Sequence, residues 1–490
     1  MPDALPNKGE SIDLAIENLA FGARGVARTG GFVWFVDFAI PGQTVRATVT
    51  KRRQDYGEAR IVSVLSPSPD QVPAPCPYFG VCGGCRLQHL KYEAQVKAKT
   101  DQVRDILERI GGFSGETVQP ALPSETIYHY RNKMEFTFSD RPWLTEKDSA
   151  REILPFALGM HVPGRFDKIL DIEACLLQSD RANGLYRFVN QRIRETGLPP
   201  YGVKTHTGIW RFLVIREGKH TGDLLLNLFT SGQEPEKTFQ AIDWLMHKLF
   251  WKHPELTTAV QSITDRKGMA AYADSEKLLL GMGTIKERIG QRQFSISPGA
   301  FFQTNTFQAE RLFRTISDLA NFDGSETVLD LYCGTGAIGI SIADKVKRVL
   351  GIESVATAVE DGKRNAELNG FSNIRFVQAD LKNALSDGSA DAFGRPDVVI
   401  LDPPRGGTHP RTLEDLGRLA PPKIVYVSCN PPLMARDLRQ ICAAGYRISV
   451  IQPVDMFPHT AHIEAVALLK KMDRRTIPDE DATVSRIEPL

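Results

Sequence analysis

A short apolar run passes directly into a glycine-rich turn in the stretch Val328-Leu329-Asp330-Leu331-Tyr332-Cys333-Gly334-Thr335-Gly336-Ala337-Ile338-Gly339. The GxGxxG spacing alone is weak evidence, because it fits dinucleotide sites as well as purely structural turns. Four more apolar runs follow at intervals that leave room for helices, at residues 348–352, 374–377, 398–401 and 424–427. This strand–helix alternation predicts an α/β fold, a doubly wound parallel sheet.

Acidic residues lie at or near the ends of these runs. Asp330 stands beside the glycine turn, where it would repel a pyrophosphate but attract a cationic amino-acid tail. Glu353 suits two ribose hydroxyls, and Asp380 would lie near an adenine amino group. With Asp402 after the fourth run, the pattern favours S-adenosylmethionine over NAD. A dinucleotide site remains the alternative, because Glu353 would also suit its ribose.

A cysteine and a glutamate form a second informative pair. Ser428-Cys429-Asn430-Pro431 follows the fifth run, and Glu464 opens the next apolar run. Taken singly, such a cysteine is usually a small apolar residue and such a glutamate an exposed one. Beside a methyl donor they suggest attack on C5 of a pyrimidine, which has no lone pair. A thiolate adds to C6, and a base later removes the C5 proton. The base must be unstacked, which favours single-stranded or remodelled RNA.

The N-terminal part alternates like short strands. Residues 10–68 predict a small β-barrel of the oligonucleotide-binding kind. Its basic residues would face a phosphate backbone or only solvent; they are Lys51, Arg52, Arg53 and Arg60. Residues 92–110 predict a helix whose apolar face includes Ile110 and which stops at Gly111-Gly112.

Strand-like runs dominate residues 125–295. In residues 130–138, alternation places Arg131 and Lys133 opposite the apolar side chains. Either an ordinary half-exposed strand or an RNA-facing strand explains this pattern. A strand-rich central domain is therefore expected.

Bulk properties limit the class of protein. A net charge of +1 does not advertise a nucleic-acid partner, so an RNA substrate has to be argued from local features. No apolar stretch approaches the roughly 18 residues that span a bilayer. The N-terminus has no apolar signal region, so we expect a cytoplasmic protein with no membrane partner. Cys76, Cys82 and Cys85 crowd one stretch, which in such a chain argues for metal rather than disulfides.

Taken together, the motifs resemble the RNA (uracil-5-)-methyltransferase family, and most closely its TRAM-domain iron–sulfur members of the 23S rRNA 5-methyluridine type. The resemblance covers nearly the whole chain. Its motifs are the N-terminal barrel, Cys76-x5-Cys82-x2-Cys85, Phe301-Phe302-Gln303-Thr304-Asn305, Asp330-Leu331-Tyr332-Cys333-Gly334, Leu401-Asp402-Pro403-Pro404-Arg405, Ser428-Cys429-Asn430-Pro431, and Asp455-Met456-Phe457-Pro458 through His462-x-Glu464.

The resemblance implies a class I S-adenosylmethionine-dependent methyltransferase fold and three domains. These are a TRAM-like barrel at 10–68, an RNA-binding central domain with an iron–sulfur cluster at 69–298, and the methyltransferase domain at 299–474. It implies Cys429 as nucleophile and Glu464 as proton acceptor. The implied cofactor contacts are Gln303, Tyr332, Glu353, Asp380 and Asp402.

The resemblance also implies a [4Fe–4S] cluster on the three clustered cysteines and Cys175, the only cysteine left in the middle region. Tetrahedral zinc stays open, because cysteine spacing does not separate the two. The implied reaction is methyl transfer to C5 of a uridine in RNA. The favoured substrate is 23S rRNA, with tRNA as the alternative, and the enzyme is expected to be a monomer. The alternatives are a catalytically inactive RNA-binding protein and a methyltransferase for a small molecule or a protein.

Overall fold

The N-terminal part is a curled six-stranded sheet. The structure is a computed structural model that describes residues 5–113, 118–145, 156–386 and 393–472. The strands are β1 (Ser11–Ala15), β2 (Asn18–Ala20), β3 (Arg24–Thr29), β4 (Phe32–Asp37), β5 (Thr44–Arg52) and β6 (Tyr56–Ser66). They pair in the order β1-β5-β6-β4-β3-β2 around the fully buried Trp34. Gly57 makes room for this ring, because a Cβ there would lie 2.1 Å from it.

A helix follows this barrel-like unit, close to its predicted span. Helix α1 (Tyr92–Ile106) continues as a π-helical turn, Leu107–Gly111, and ends at Gly112, whose φ is +72°. The prediction that Ile110 lies on the buried face is wrong, since this side chain is 45% exposed. The wider π turn explains the error, because it rotates the following residues out of the helical pattern.

The central part is a mixed seven-stranded sheet with two helices. Its elements are β7 (Lys133–Ser139), β8 (Ala157–Val162), β9 (Arg165–Asp171), α2 (Asp180–Glu195), β10 (Trp210–Glu217), β11 (Leu224–Thr230), α3 (Pro235–Lys252), β12 (Thr258–Ile263) and β13 (Ser275–Leu280). The strand order is β13-β12-β11-β10-β7-β8-β9. Lys133 is half-buried, and burial lowers its pKa to about 8. The partial burial of Lys133 favours an ordinary half-exposed strand over a strand that faces RNA.

The C-terminal part alternates strands and helices. A hairpin, β14 (Ile285–Ile289) and β15 (Arg292–Ile296), leads into it. It contains α4 (Thr306–Ala320), β16 (Thr327–Leu331), α5 (Ala337–Ile342), β17 (Arg348–Glu353), α6 (Ala356–Leu368), β18 (Ile374–Gln378), β19 (Val398–Leu401), α7 (Pro410–Leu419), β20 (Lys423–Ser428), α8 (Pro431–Ala443), β21 (Tyr446–Val454) and β22 (Glu464–Lys471). A short 3₁₀ turn, Ala343–Lys345, follows α5.

All five predicted parallel strands are present, in the order β18-β17-β16-β19-β20, so the doubly wound sheet is confirmed. Apolar clusters cover both faces, as expected for a parallel sheet. The sheet then gains β22 and β21, and β22 runs antiparallel to both of its neighbours. The start of β22 therefore lies at the edge where the parallel strands end. Residues 473 and 474, at the end of the predicted methyltransferase domain, lie outside the described residues.

In the part of the chain that the structure describes, no helix combines the length and apolarity needed to cross a bilayer.

Candidate active site

Carboxylates from adjacent strands line the carboxyl edge of the parallel sheet. Because β17, β16 and β19 are neighbours, Glu353, Asp330 and Asp402 come to the same edge. This is where open α/β sheets bind ligands, at the point where the strand order reverses. The sequence-predicted acidic residues are thus brought together, with Asp380 following β18 at the outer end of the row.

Asp330 is fully buried and incompletely satisfied. The Gly339 N–H donates to Asp330 Oδ2 at 3.1 Å, whereas Oδ1 has no hydrogen-bond partner among the described residues. Burial, reinforced by the Asp402 charge, raises the pKa of Asp330 to about 8. A buried polar atom without a partner is costly, so this oxygen is suited to a polar or cationic ligand group.

The turn after β16 holds its backbone in left-handed conformations. Gly334 and Gly336 have φ of +53° and +78°, and Tyr332 has φ of +64°. For a bulky residue such as Tyr332 this conformation is strained, and such strain is concentrated at functional sites. A Cβ at Gly336 would lie 2.5 Å from the Phe376 ring, so only glycine fits there.

Glu353 and Asp380 differ in how firmly they are held. The Glu353 carboxylate accepts hydrogen bonds from the N–H groups of Gly334 at 3.1 Å and Val355 at 2.9 Å. It therefore ties the glycine turn to the end of β17. Asp380 is exposed, and one of its oxygens accepts the Lys382 N–H at 3.0 Å.

Cys429 and Glu464 are placed by the antiparallel strands β20 and β22. Ser428 pairs with Ala465, Cys429 directly follows Ser428, and Glu464 directly precedes Ala465, so both residues lie at the end of this ladder. On the other side of β22, Glu464 pairs with Val454 of β21. The proposed nucleophile and base therefore lie close enough for their charges to interact, and the charge of Asp402 acts on both.

The charges around this pair oppose ionisation of both groups. Burial, together with the Glu464 carboxylate, raises the pKa of Cys429 to about 11, while Arg405 acts in the opposite direction. Burial and the charge of Asp402 raise the pKa of Glu464 well above its usual value, and Arg405 again opposes this. Burial raises the pKa of the half-buried Asp402 to about 7. These surroundings therefore favour the neutral forms of the thiol and the carboxyl.

Gln303 lies in the segment that precedes α4. Its carbonyl accepts a hydrogen bond from Asn132 Nδ2 at 2.9 Å, and Asn305 Nδ2 donates to the Met456 carbonyl at 3.0 Å. This segment is thereby attached to the loop that leads into Glu464. Gln303 is only 8% exposed.

The four predicted cysteine ligands line one cavity of about 130 Å³; they are Cys76, Cys82, Cys85 and Cys175. Thr460 and His462, from the loop before Glu464, line the same cavity. All four cysteines are free thiols, and burial raises the pKa values of Cys82 and Cys85 to about 11 and about 12. Within the described residues, no group of three His, Cys, Asp or Glu side chains is arranged to hold a metal ion.

Charged residues at the site include some to which the sequence analysis assigned no role. Arg405 follows Asp402 by three positions and influences both Cys429 and Glu464. Lys99 of helix α1 and Asp455, in the loop before Glu464, form a fully buried ion pair at 2.6 Å. The sequence does indicate that Lys99 is unusual, because it occupies a core-facing position of helix α1, where an apolar residue is usual.

Comparisons with known proteins agree with this geometry. A family model for tRNA (Uracil-5-)-methyltransferase matches residues 259–472, and one for the TRAM domain matches residues 7–62. An uncharacterized RNA methyltransferase of Chlorobaculum tepidum is 42% identical over 95% of this chain and 97% of its own length. A second, from Halalkalibacterium halodurans, is 37% identical over 95% and 98%.

Among solved structures, a Pyrococcus abyssi tRNA (uracil-54, C5)-methyltransferase in complex with S-adenosyl-L-homocysteine superposes with a TM-score of 0.70. It is 30% identical and covers 93% of this chain and 99% of its own. Fold, site edge and this neighbour define an S-adenosylmethionine-dependent methyltransferase. The chain belongs to the RNA (uracil-5-)-methyltransferase family. The predictions of family, fold, N-terminal barrel, methyl donor and RNA as substrate class are confirmed.

Proposed function

We propose that this enzyme methylates C5 of a specific uridine in RNA through a covalent bond between Cys429 Sγ and C6 of the base. The observation that carries the proposal is that Cys429 and Glu464 flank the last pair between β20 and β22, at the sheet edge where Asp402 also lies. This position gives a nucleophile and a base access to the same flipped-out pyrimidine.

The chemistry follows from these two groups. The Cys429 thiolate adds to C6, and the electron pair displaced onto C5 forms a bond to the methyl carbon of the donor. The donor's carbon–sulfur bond breaks, which leaves S-adenosylhomocysteine. The Glu464 carboxylate then accepts the C5 proton, the C5–H electron pair restores the C5–C6 double bond, and the thiolate leaves.

Both groups must be ionised for this sequence, although the free protein favours their neutral forms. The donor supplies a methyl group on a positively charged sulfur. A cation beside Asp402 and Glu464 favours the anionic forms and so lowers the pKa values of thiol and carboxyl. Arg405 acts in the same direction. A bound donor would therefore favour the attack by Cys429.

For the donor itself we propose the contacts that the strand ends suggest. Glu353 would hold the ribose hydroxyls and Asp380 the adenine amino group, while Asp402, Tyr332 and Gln303 would lie beside the reacting end. Support comes from the common edge of β18, β17, β16 and β19 and from the burial of Gln303 close to the loop before Glu464.

We further propose that Cys76, Cys82, Cys85 and Cys175 hold a [4Fe–4S] cluster. Four cysteine sulfur atoms around a cavity of about 130 Å³ match the donor set of such a cluster. A single zinc ion, with Zn–S bonds of about 2.3 Å, would draw its ligands into a compact tetrahedron. No step of the uracil chemistry needs an electron, so the cluster's role would be structural.

The RNA class separates two versions of the proposal. The cysteine cluster resembles the ribosomal branch and favours 23S rRNA, whereas the similar Pyrococcus structure is a tRNA enzyme and favours tRNA.

The test is to incubate the pure protein with labelled S-adenosylmethionine and unmodified bulk RNA, then map the label. We expect label on C5 of one uridine, in 23S rRNA. Label on a tRNA uridine would replace the substrate. No incorporation into any RNA would indicate an RNA-binding protein without turnover, or another class of substrate, and would overturn the proposal.

A further inference from the structure

One loop determines where Glu464 enters the site. Residues 455–463, here called the base loop, connect β21 to β22. Val454 and Glu464 pair at the two ends of this loop, so its conformation sets the position of the catalytic carboxyl. Base catalysis requires hydrogen-bond reach to the proton that is removed, and an error of about 1 Å in placement can cost roughly a hundredfold in rate.

The base loop is held from outside at five consecutive carbonyls. The donors are Gln308 Nε2 to Asp455 at 2.9 Å, Asn305 Nδ2 to Met456 at 3.0 Å, Lys99 Nζ to Phe457 at 3.0 Å, the Tyr130 hydroxyl to Pro458 at 3.1 Å, and the Arg86 and Leu87 N–H groups to His459 at 2.8 and 3.0 Å. Such a continuous row of external donors leaves the loop little freedom to shift.

Helix α1 contributes the charged part of this grip. Lys99 Nζ donates to Asp455 Oδ1 at 2.6 Å, and both side chains are 0% exposed. The Tyr92 hydroxyl donates to Asp455 Oδ2 at 2.9 Å. Gln95 Oε1 accepts the His459 N–H at 3.1 Å. The spacing of Tyr92, Gln95 and Lys99 puts them on one helix face.

A buried lysine is an expensive way to pack a helix. An apolar residue of similar volume usually stabilises a fold at least as well as a buried ion pair does. Lys99 makes two contacts that an apolar side chain lacks, one to the Asp455 carboxylate and one to the Phe457 carbonyl. Both partners belong to the base loop, so the lysine acts on this loop specifically.

We propose that Lys99 is a positioning residue for the proton-abstraction step, and that it acts through the base loop on Glu464. This rests on the proposed function. Cys429 lies on a different connection, between β20 and α8, where the Asn430 side chain donates to the Arg405 carbonyl. Loss of Lys99 therefore slows release of the methylated RNA more than it slows formation of the covalent bond.

The experiment is a rapid-quench assay with labelled donor and substrate RNA, in which methylated protein–RNA adduct and free product are measured separately. In Lys99→Met we expect adduct to form at close to the normal rate and to be released about 10- to 100-fold more slowly. The adduct should therefore accumulate. Lys97→Met is the matched control, because Lys97 lies on the same helix but is 79% exposed in a surface pair with Asp101.

Tyr130→Phe provides an independent variant, since it removes the hydroxyl bonded to Pro458 without leaving a buried charge unpaired. We expect the same selective delay in release, smaller than in Lys99→Met. If Lys99→Met fails to fold, Tyr130→Phe decides. Equal slowing of formation and release, or unchanged release, would overturn the inference. If Glu464→Gln also fails to accumulate adduct, the proposed function itself is wrong.

Discussion

Cys429 and Glu464 flank the last pair between strands β20 and β22: Cys429 directly follows Ser428, and Glu464 directly precedes Ala465, the partner of Ser428. This relationship exists because β22 is antiparallel within an otherwise parallel part of the sheet. The first residue of β22 therefore lies at the same edge of the sheet as the last residue of β20. A sixth parallel strand would have put Glu464 at the opposite edge, far from the thiol.

Replacing Glu464 with glutamine should separate the two halves of the reaction. The amide cannot accept the C5 proton, so turnover should fall by about 10²- to 10⁴-fold while a methylated covalent adduct accumulates. Denaturing gel electrophoresis of labelled RNA with the protein measures the adduct. Glu414→Gln, at an exposed position on α7, is the control. Normal turnover in Glu464→Gln would assign the base to another residue.

The same substitution should make Cys429 more reactive. A neighbouring carboxylate opposes formation of the thiolate, so its removal lowers the thiol pKa from about 11. At a given pH below the pKa, Cys429 is then alkylated faster in Glu464→Gln than in the unaltered protein. Arg405→Gln removes a cation that favours the thiolate, and alkylation should slow. Iodoacetamide labelling across a pH series, followed by peptide mass mapping, measures the alkylation rate of Cys429 in both variants. Slower alkylation in Glu464→Gln, or faster alkylation in Arg405→Gln, would contradict the described electrostatics.

Asp330 should make donor binding depend on pH. Its pKa of about 8 in the free protein means that it is partly protonated at neutral pH. The cationic amino-acid tail, which S-adenosylhomocysteine shares with the donor, prefers the carboxylate, so affinity should rise as pH increases through about 8. Asp330→Asn should weaken binding by about tenfold or more and remove this pH dependence. Calorimetry with S-adenosylhomocysteine measures it, with the exposed Asp318→Asn as control. Unchanged affinity would place the cationic tail elsewhere.

The cysteine cavity predicts iron rather than zinc. Protein purified without oxygen should be brown and contain iron and acid-labile sulfide in equal amounts. Cys82→Ser should lose most of both, whereas Cys442→Ser should retain them because Cys442 does not line the cavity. A colourless protein that contains stoichiometric zinc would remove the cluster from the account.

Local pattern in the sequence was enough to predict the parallel strands and the glycine turn. Continuous apolar runs such as residues 398–401 are typical of strands buried on both faces. Asp330, Glu353 and Asp402 could be placed at one edge because parallel strands all end on the same side. The direction of β22 was not readable, since an apolar run looks the same in a parallel or an antiparallel strand.

The contacts between helix α1 and the base loop could not be predicted from the sequence either. The spacing on helix α1 marks Lys99 as a core-facing position, but its partner Asp455 is 356 residues away in the chain, and no local pattern links the two. The prediction that Ile110 is buried was wrong for a local reason, because a π turn interrupts the 3.6-residue period on which the prediction depended. Long-range pairing and irregular turns therefore account for what the sequence did not reveal.

The most direct test of the account uses substrate RNA in which the target uridine carries fluorine at C5. A base cannot remove fluorine as it removes a proton, so the bond between protein and C6 should persist after methyl transfer. With S-adenosylmethionine present, we predict an adduct that maps to the peptide containing Cys429 and is absent in Cys429→Ser. An adduct on another residue, or continued methylation of ordinary RNA by Cys429→Ser, would contradict the account.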